Sequence, residues 1–159
     1  MKYYLDTEFD GPQGPLISLA LVREDCPIVL YLINQEYGRN GVTASEVVWV
    51  RDNVIPILYD IPKGTQCIED TAFGGWLRAF LKFDDNIHIV ADSMVDIYRF
   101  CKEMTQDSSG EYVSNPHKKI TFTVDNVDTY PTDLPGAIQH NAVWDARALK
   151  HAIYIRDFM

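Results

Sequence analysis

The sequence predicts an α/β fold: a mixed five-stranded sheet of three antiparallel strands and then two crossover strands, flanked by helices. Two observations favour this class. Up to residue 33, apolar runs rich in β-forming residues alternate with turn-forming residues. Beyond residue 43, short β-branched runs alternate with longer segments whose apolar residues recur every three or four positions. With 159 residues, the chain has the length of one domain, so a single domain over residues 1–159 is expected.

The first three strands are predicted to form an antiparallel meander. The first strand covers residues 2–9, begins with aromatic residues and ends in Asp-Thr-Glu. Residues 11–15 combine glycine and proline in the manner of a turn, and apolar runs follow at residues 16–22 and 28–33. Because the same sheet also receives the later strands, the first strand is expected to lie near its centre.

Helices and strands are predicted to alternate over the rest of the chain. The helices cover residues 43–58, with Thr43 or Ser45 as the cap, and residues 71–83, 95–104 and 141–158. The strands cover residues 87–91 and 120–124, with an exposed loop at 105–119 and an irregular segment at 125–136. This order of elements is that of the ribonuclease H-like fold, although order alone assigns no chemistry.

Charge and cysteine content restrict the function classes. The chain has 23 acidic against 14 basic residues and a net charge of −9, which argues against binding nucleic acid through a broad basic face. Three widely spaced cysteines predict neither a disulfide framework nor a zinc site and favour a cytoplasmic location. An aspartate at position 6 comes too early for a signal peptide, and no apolar run is long enough to span a membrane.

Two carboxylates stand at the end of the first strand. Asp6 and Glu8 are two residues apart, so their side chains share one face of the strand. Paired carboxylates are hard oxygen ligands that suit Mg²⁺ or Mn²⁺ better than zinc. The alternative is a surface-facing pair without a ligand.

A third acid is expected where the strand at residues 87–91 runs into the next helix. Asp92 stands at the strand end and Asp96 in the first helical turn. We choose Asp96 as the metal-site acid and assign Asp92 to capping. The alternative for Asp96 is a structural role, since carboxylates are favoured at helix amino termini.

A histidine and an aspartate open the last helix. His140 precedes the helix and Asp145 lies just over one turn inside it, so imidazole and carboxylate can converge on one site. The alternative is that His140 is a polar surface residue at a helix entrance.

These residues resemble the signature of the DEDDh 3′–5′ exonucleases of the ribonuclease T-like superfamily. That signature is D-x-E on the first strand, an Asp at the helix after the fourth strand and H-x-x-x-x-D at the last helix. A nearer resemblance is to the group typified by the polyadenylate-specific exoribonuclease AS. Its hallmarks are similar to Asp6-Thr7-Glu8-Phe9, Leu16-Ile17-Ser18-Leu19, Trp49-Val50-Arg51 with Val54 and Pro56, and Asp145-Ala146-Arg147.

The resemblance implies two-metal hydrolysis of single-stranded RNA from its 3′ end to 5′-mononucleotides. Two Mg²⁺ or Mn²⁺ ions would be held by Asp6, Glu8, Asp96 and Asp145, with Asp6 shared and Asp96 acting mainly through water. His140 would take the proton from the attacking water. Four positive charges would bring the net charge from −9 to about −5, confining RNA binding to the site. The resemblance also implies a homodimer.

Five residues are expected to contact nucleic acid: Thr7, Phe9, Trp49, Arg51 and Arg147. Phe9 either stacks on terminal bases or belongs to the core, because strand alternation points it away from Glu8. Arg147 either meets phosphate or forms a solvated cationic surface. The basic run at residues 117–119 either binds RNA or solubilises its loop.

Two other functions remain open at this point. The same five catalytic residues would serve a single-stranded DNA exonuclease. A non-catalytic acidic protein that binds a basic partner is the alternative from another class, although such a protein has no need of all five residues in order.

Overall fold

A six-stranded mixed β-sheet with helices on both faces is the framework of the computed structural model. The structure describes residues 1–107, 109–113 and 119–159. Residues 108 and 114–118 belong to the loop predicted over 105–119. They lie outside the described residues, and so do His117 and Lys118 of the basic run.

The strands are β1 (Lys2–Phe9), β2 (Leu16–Arg23), β3 (Val29–Asn34), β4 (Cys67–Asp70), β5 (Asn86–Ala91) and β6 (Lys119–Val124). The helices are α1 (Gln35–Asn40), α2 (Val48–Asn53), α3 (Gly74–Leu81), α4 (Met94–Met104) and α5 (Ala142–Phe158). Short 3-10 turns follow α1 and α2 at Gly41–Ala44 and Ile55–Ile57.

The strand order is β4-β3-β2-β1-β5-β6. Strands β1, β2 and β3 form the predicted antiparallel meander, and β4, β5 and β6 each join a neighbour in parallel. Strand β1 therefore lies at the centre, where the chain changes the side of the sheet to which it adds strands. In open α/β sheets, such a switch point leaves a crevice at the carboxyl ends of the strands.

The predicted count of five strands is wrong, because β4 adds a sixth. This strand has only four residues and pairs with β3 alone, at the edge of the sheet. Its sequence, Cys-Ile-Glu-Asp, is too short and too polar to show the apolar pattern of a strand. Helix α1 was also missed: it is one turn and a half long, and the Asn34 side chain caps it by accepting the Glu36 N–H.

Two hydrophobic cores, one on each face, hold the layers together. Alternation along β1 places Tyr4 in the core under α5 and α2, and Tyr3 and Leu5 in the opposite core under α3 and α4. Helix α5 packs against β1 and β2 through residues such as Val143 and Leu149. The central strands are thus buried on both faces, which fixes the register of β1.

Two irregularities open the carboxyl end of β1. Its pairing with β5 covers only Lys2 to Tyr4, so the two strands part before Asp6. On its other side, β1 stays paired with β2 but shifts register between Glu8 and Phe9, which is a β-bulge. The parted strands leave free one edge of β1 at the residues predicted to bind metal.

Among the described residues, no helix combines the length and the apolar character needed to cross a bilayer. Cys26, Cys67 and Cys101 are free thiols, each half-buried. The expectation of no disulfide framework is confirmed for these three residues.

The packing of α3 gives the first testable prediction. Leu77 is fully buried between α3 and the sheet, so Leu77→Ala leaves a cavity and lowers the free energy of unfolding by about 2–5 kcal/mol. Urea titration measures this loss, with an unchanged m-value showing that the unfolded state is the same. Phe83→Ala is the control, because Phe83 is 87% exposed and its loss costs less than about 0.5 kcal/mol. Equal losses for the two variants would contradict the packing.

Candidate metal centre

A cavity of about 330 Å³ lies at the carboxyl end of β1. The residues predicted to be catalytic all line it: Asp6, Glu8, Asp96, His140 and Asp145. Thr7, Phe9 and Trp49 line it too. Strands β1 and β5 and helices α4 and α5 meet here, so side chains distant in sequence come together at the switch point of the sheet.

Asp6 and Glu8 face the cavity from the same side of β1, as their spacing predicts. The Asp6 Oδ2 atom is buried and has no hydrogen-bond partner among the described residues. A buried carboxylate oxygen without a donor is costly unless a proton or a cation meets it. The solvated pair considered from the sequence is therefore not what the structure contains.

Asp96 enters the site from the first turn of α4. Ser93 caps this helix by accepting the Val95 N–H, which sets the angle at which the helix leaves β5. The Asp96 carboxylate is buried and accepts two hydrogen bonds from Thr7, one from its backbone N–H at 3.1 Å and one from its hydroxyl. The backbone bond is possible because β1 and β5 have already parted at Thr7. Thr7 therefore orients Asp96, and its hydroxyl is not free for a ligand.

Asp92 lies with Asp6 and Asp96. Ligand oxygens of these three residues are within 4.8 Å of one another. Both Asp92 and Asp96 therefore lie at the site as candidate ligands. Asp92 terminates β5, and Ser93 rather than Asp92 caps the helix.

Asp145 and His140 form the other side of the cavity. The Asn141 side chain caps α5 by accepting the N–H groups of Val143 and Trp144. The backbone N–H of His140 donates to Asp145 Oδ2 at 2.9 Å, and His140 takes a φ of 69°. Asp145 Oδ1 is buried and without a partner among the described residues. Ligand atoms of Glu8, His140 and Asp145 lie within 4.8 Å of one another.

The carboxylates resist ionisation. Burial, together with the neighbouring carboxylates, raises the pKa of Glu8 to about 8 and that of Asp6 well above its ordinary value. Burial raises the pKa of Asp96 to about 7 and that of Asp145 to about 6, despite the hydrogen bonds that oppose the shift. No lysine or arginine is among the described residues that line the cavity.

A divalent cation fits this arrangement. Asp6 Oδ2 and Asp145 Oδ1 are free carboxylate oxygens in two separate groups of ligands, and oxygen ligands favour Mg²⁺ or Mn²⁺. The carboxylates repel one another, so cations would lower their pKa values and stabilise the charged forms.

His140 and Trp49 stand together at the mouth of the cavity. Their rings are 4.8 Å apart and meet edge to face, while half of the Trp49 surface is exposed. Burial lowers the pKa of His140, so its imidazole is neutral at pH 7 and able to accept a proton.

The structure brings Phe9 to the site but not the two arginines. The bulge after Glu8 turns Phe9 towards the cavity, and the Arg99 guanidinium lies 4.8 Å from its ring centroid. Arg51 is not among the cavity residues. Arg147 lines a different cavity and lies 5.7 Å from the Trp144 ring.

Sequence reasoning missed four residues that line the cavity: Ser93, Thr129, Tyr130 and Gln139. Thr129 and Tyr130 belong to the irregular segment before α5, which has no apolar period to reveal which side chains point inward. A polar Thr-Tyr pair before a proline was the only available signal.

Comparison of the chain with protein-family models gave no match, and comparison with curated proteins gave none. The chemistry of the site is therefore inferred from its residues and their geometry.

The bond from Thr7 to Asp96 gives a prediction about metal affinity. Thr7→Val keeps the shape and the backbone N–H but removes the hydroxyl, so Asp96 loses one of its two orienting bonds. We expect Mn²⁺ affinity, measured by calorimetry, to fall by about 10- to 100-fold. Thr7→Ser retains the hydroxyl and keeps the affinity of the wild type. Unchanged affinity in Thr7→Val would show that Asp96 is not a ligand.

The repulsion among the carboxylates gives a prediction about stability. The pKa of Asp6 in the folded metal-free protein lies well above its value in the unfolded chain, so this group lowers stability as pH rises above its ordinary pKa. Asp6→Asn removes the group, and we expect the metal-free melting temperature to rise by about 2–8 °C at pH 8.

The size of that gain should depend on pH and metal. At about pH 4 the gain shrinks, because the unfolded chain also begins to protonate Asp6. Millimolar Mg²⁺ should raise the melting temperature of the wild type more than that of Asp6→Asn, which keeps the Glu8 and Asp145 oxygens. Thermal scans with EDTA or Mg²⁺ measure both effects, and a variant less stable than the metal-free wild type would refute the prediction.

Proposed function

We propose that the protein is a divalent-metal-dependent 3′–5′ exoribonuclease of the DEDDh type, which shortens single-stranded RNA to 5′-mononucleotides. One observation carries the proposal: Asp6, Glu8, Asp96, His140 and Asp145 line a single cavity although they come from three separate parts of the chain. A binding protein has no evident need for four buried or half-buried acids and a neutral imidazole in one place.

The topology supports a ribonuclease H-like sheet. Its defining order is three antiparallel strands followed by parallel strands reached through helices, with the site at the end of the first strand. Strands β1, β2, β3, β5 and β6 follow that order, and β4 is an edge addition beside β3. The addition lies two strands away from β1, so it leaves the site unchanged.

Asp6, Asp92 and Asp96 would hold one cation, and Glu8 with Asp145 a second. Such cations would neutralise charge on the phosphate and lower the pKa of a bound water, so that this water can lose a proton near neutral pH. The protein contributes the spacing of the oxygens and the hydrogen bonds that fix Asp96 and Asp145. Asp92 takes a place that the resemblance does not assign.

His140 would accept the proton of the attacking water. Its lowered pKa leaves a ring nitrogen free to accept, and this nitrogen lies within 4.8 Å of Glu8 and Asp145 oxygens, where water would be bound. The contact with Trp49 holds the ring at the mouth of the cavity, where a released proton can reach solvent.

The surroundings favour a short single-stranded end as substrate. The cavity lies at the low end of the usual ligand-pocket size, so it suits one terminal residue of a chain. Phe9 and half-exposed Trp49 offer rings on which bases can stack without regard to sequence. With a net charge of −9 and no arginine among the described residues that line the cavity, long duplexes would be repelled.

Incubation of 5′-labelled RNA and DNA homopolymers with Mg²⁺, Mn²⁺ or EDTA tests the proposal. We expect a ladder that shortens from the 3′ end on RNA and depends on metal. Asp6→Asn and His140→Ala should each reduce the rate by at least about 100-fold. Asp85→Asn makes the same chemical change at an exposed acid and should keep the rate within about twofold of the wild type.

Other outcomes would decide against the proposal. Faster shortening of DNA would assign a DNA exonuclease with the same residues. Absence of shortening with every metal would leave the non-catalytic acidic protein, and activity that survives EDTA or His140→Ala would refute the mechanism.

A further inference from the structure

Tyr130 has a buried hydroxyl that forms no hydrogen bond of ordinary geometry among the described residues, although it lies beside the Asp145 carboxylate. It lines the candidate metal centre from the irregular segment between β6 and α5. The signature that suggested the other site residues has no place for a tyrosine here. A role for its hydroxyl rests on the proposed function, because that role requires a substrate in the cavity.

Two other tyrosines, both buried, show the usual arrangement. Tyr31 donates its hydroxyl to the Leu58 carbonyl at 2.8 Å, and Tyr37 donates to Asp10 Oδ2 at 2.7 Å. Because buried hydroxyls are normally hydrogen-bonded, an unpaired one calls for an explanation. The Tyr130 hydroxyl adjoins a cavity with room for an acceptor.

The segment that carries Tyr130 is held at both ends. Asp125 donates its backbone N–H to the Ala91 carbonyl at 2.8 Å, and its carboxylate accepts two bonds from Arg156. Asp133 pairs with His151 of α5. The backbone segment around Tyr130 is therefore anchored to β5 on one side and to α5 on the other.

Tyr130 is one of several neutral donors at the cavity, where donor groups are also carried by Trp49, Ser93, Thr129 and Gln139. The carboxylates only accept, the Thr7 hydroxyl is used by Asp96, and no lysine or arginine lies among the described lining residues. Burial and the neighbouring Asp145 carboxylate raise the pKa of Tyr130 above its ordinary value, so the phenol keeps its proton at neutral pH. Tyr130 is thus a neutral donor placed among acids.

We propose that Tyr130 donates its hydroxyl to a non-bridging oxygen of the scissile phosphate. The phosphate has two such oxygens, and cations that the carboxylates would hold would supply positive charge but no proton donor to them. The proton stays on Tyr130 throughout, and the bond strengthens as negative charge builds on the phosphate. Tyr130 is then a catalytic residue that touches substrate.

Tyr130→Phe tests the contact. We expect kcat to fall by about 10- to 100-fold, as for loss of one donor to a charged oxygen, with Mn²⁺ affinity unchanged. The metal-free melting temperature should change little, since the hydroxyl makes no hydrogen bond of ordinary geometry to the protein. Tyr31→Phe is the comparison, because it breaks the bond to Leu58 and should lower the melting temperature. Tyr154→Phe, at an exposed tyrosine of α5, should keep full activity.

A substrate with one non-bridging oxygen replaced by sulfur locates the contact. Sulfur is a poor hydrogen-bond acceptor, so the hydroxyl of Tyr130 gains little when sulfur replaces the oxygen that it contacts. With that phosphorothioate diastereomer, the ratio of wild-type kcat to Tyr130→Phe kcat should shrink to less than about threefold. With the other diastereomer the full difference should persist.

Three results would overturn the inference. Tyr130→Phe with wild-type kcat would show that no such bond forms. Equal losses with both diastereomers, or a loss of Mn²⁺ affinity, would show that Tyr130 acts through Asp145 instead. A wild-type protein without exonuclease activity would instead refute the proposed function. Failure of the Tyr130 inference and failure of the proposed function therefore give different results.

Discussion

Mutual repulsion among carboxylates at the end of β1 is the constraint on which the rest of the site depends. Asp6, Glu8, Asp96 and Asp145 share one cavity, and burial makes the ionised form of each costly. Apolar cores on both faces of the sheet supply the stability that keeps these groups together. Such a cluster lowers the stability of the metal-free fold, and cations would offset this loss by neutralising the carboxylates. Functional sites commonly lower the stability of the fold that carries them.

The backbone determines which oxygens stay free. At Asp145, one oxygen accepts the His140 N–H and the other has no partner within the described chain. At Asp96, the bonds from Thr7 all reach Oδ1. Each acid is thus held by one oxygen and offers the other, which is how ligands are kept in a fixed position for a cation.

Phe9 depends on a contact outside the cavity. Arg99 is buried, donates to the carbonyls of Pro12 and Gly14, and places its guanidinium against the Phe9 ring. The turn after β1 is therefore tied to α4, which also carries Asp96. Asp96 and the aromatic ring of Phe9 are therefore coupled through α4, so displacement of this helix would disturb both.

Local sequence determined the meander, the helix α5 and the faces shared by Asp6 and Glu8, because strand and helix periods show which side chains point together. Tertiary structure alone decided the sixth strand, the turn of Phe9 towards the cavity, the entry of Asp92 and the position of Tyr130. Strand β4 is too short to show a period, and Phe9 departs from strand alternation only through a bulge. Asp92 lies close to Asp6, which is more than eighty positions away in the chain. Tyr130 lies close to Asp145, which is more than ten positions away. Contacts at such separations arise from the parting of β1 and β5 and from the anchored segment before α5, and no local pattern encodes either.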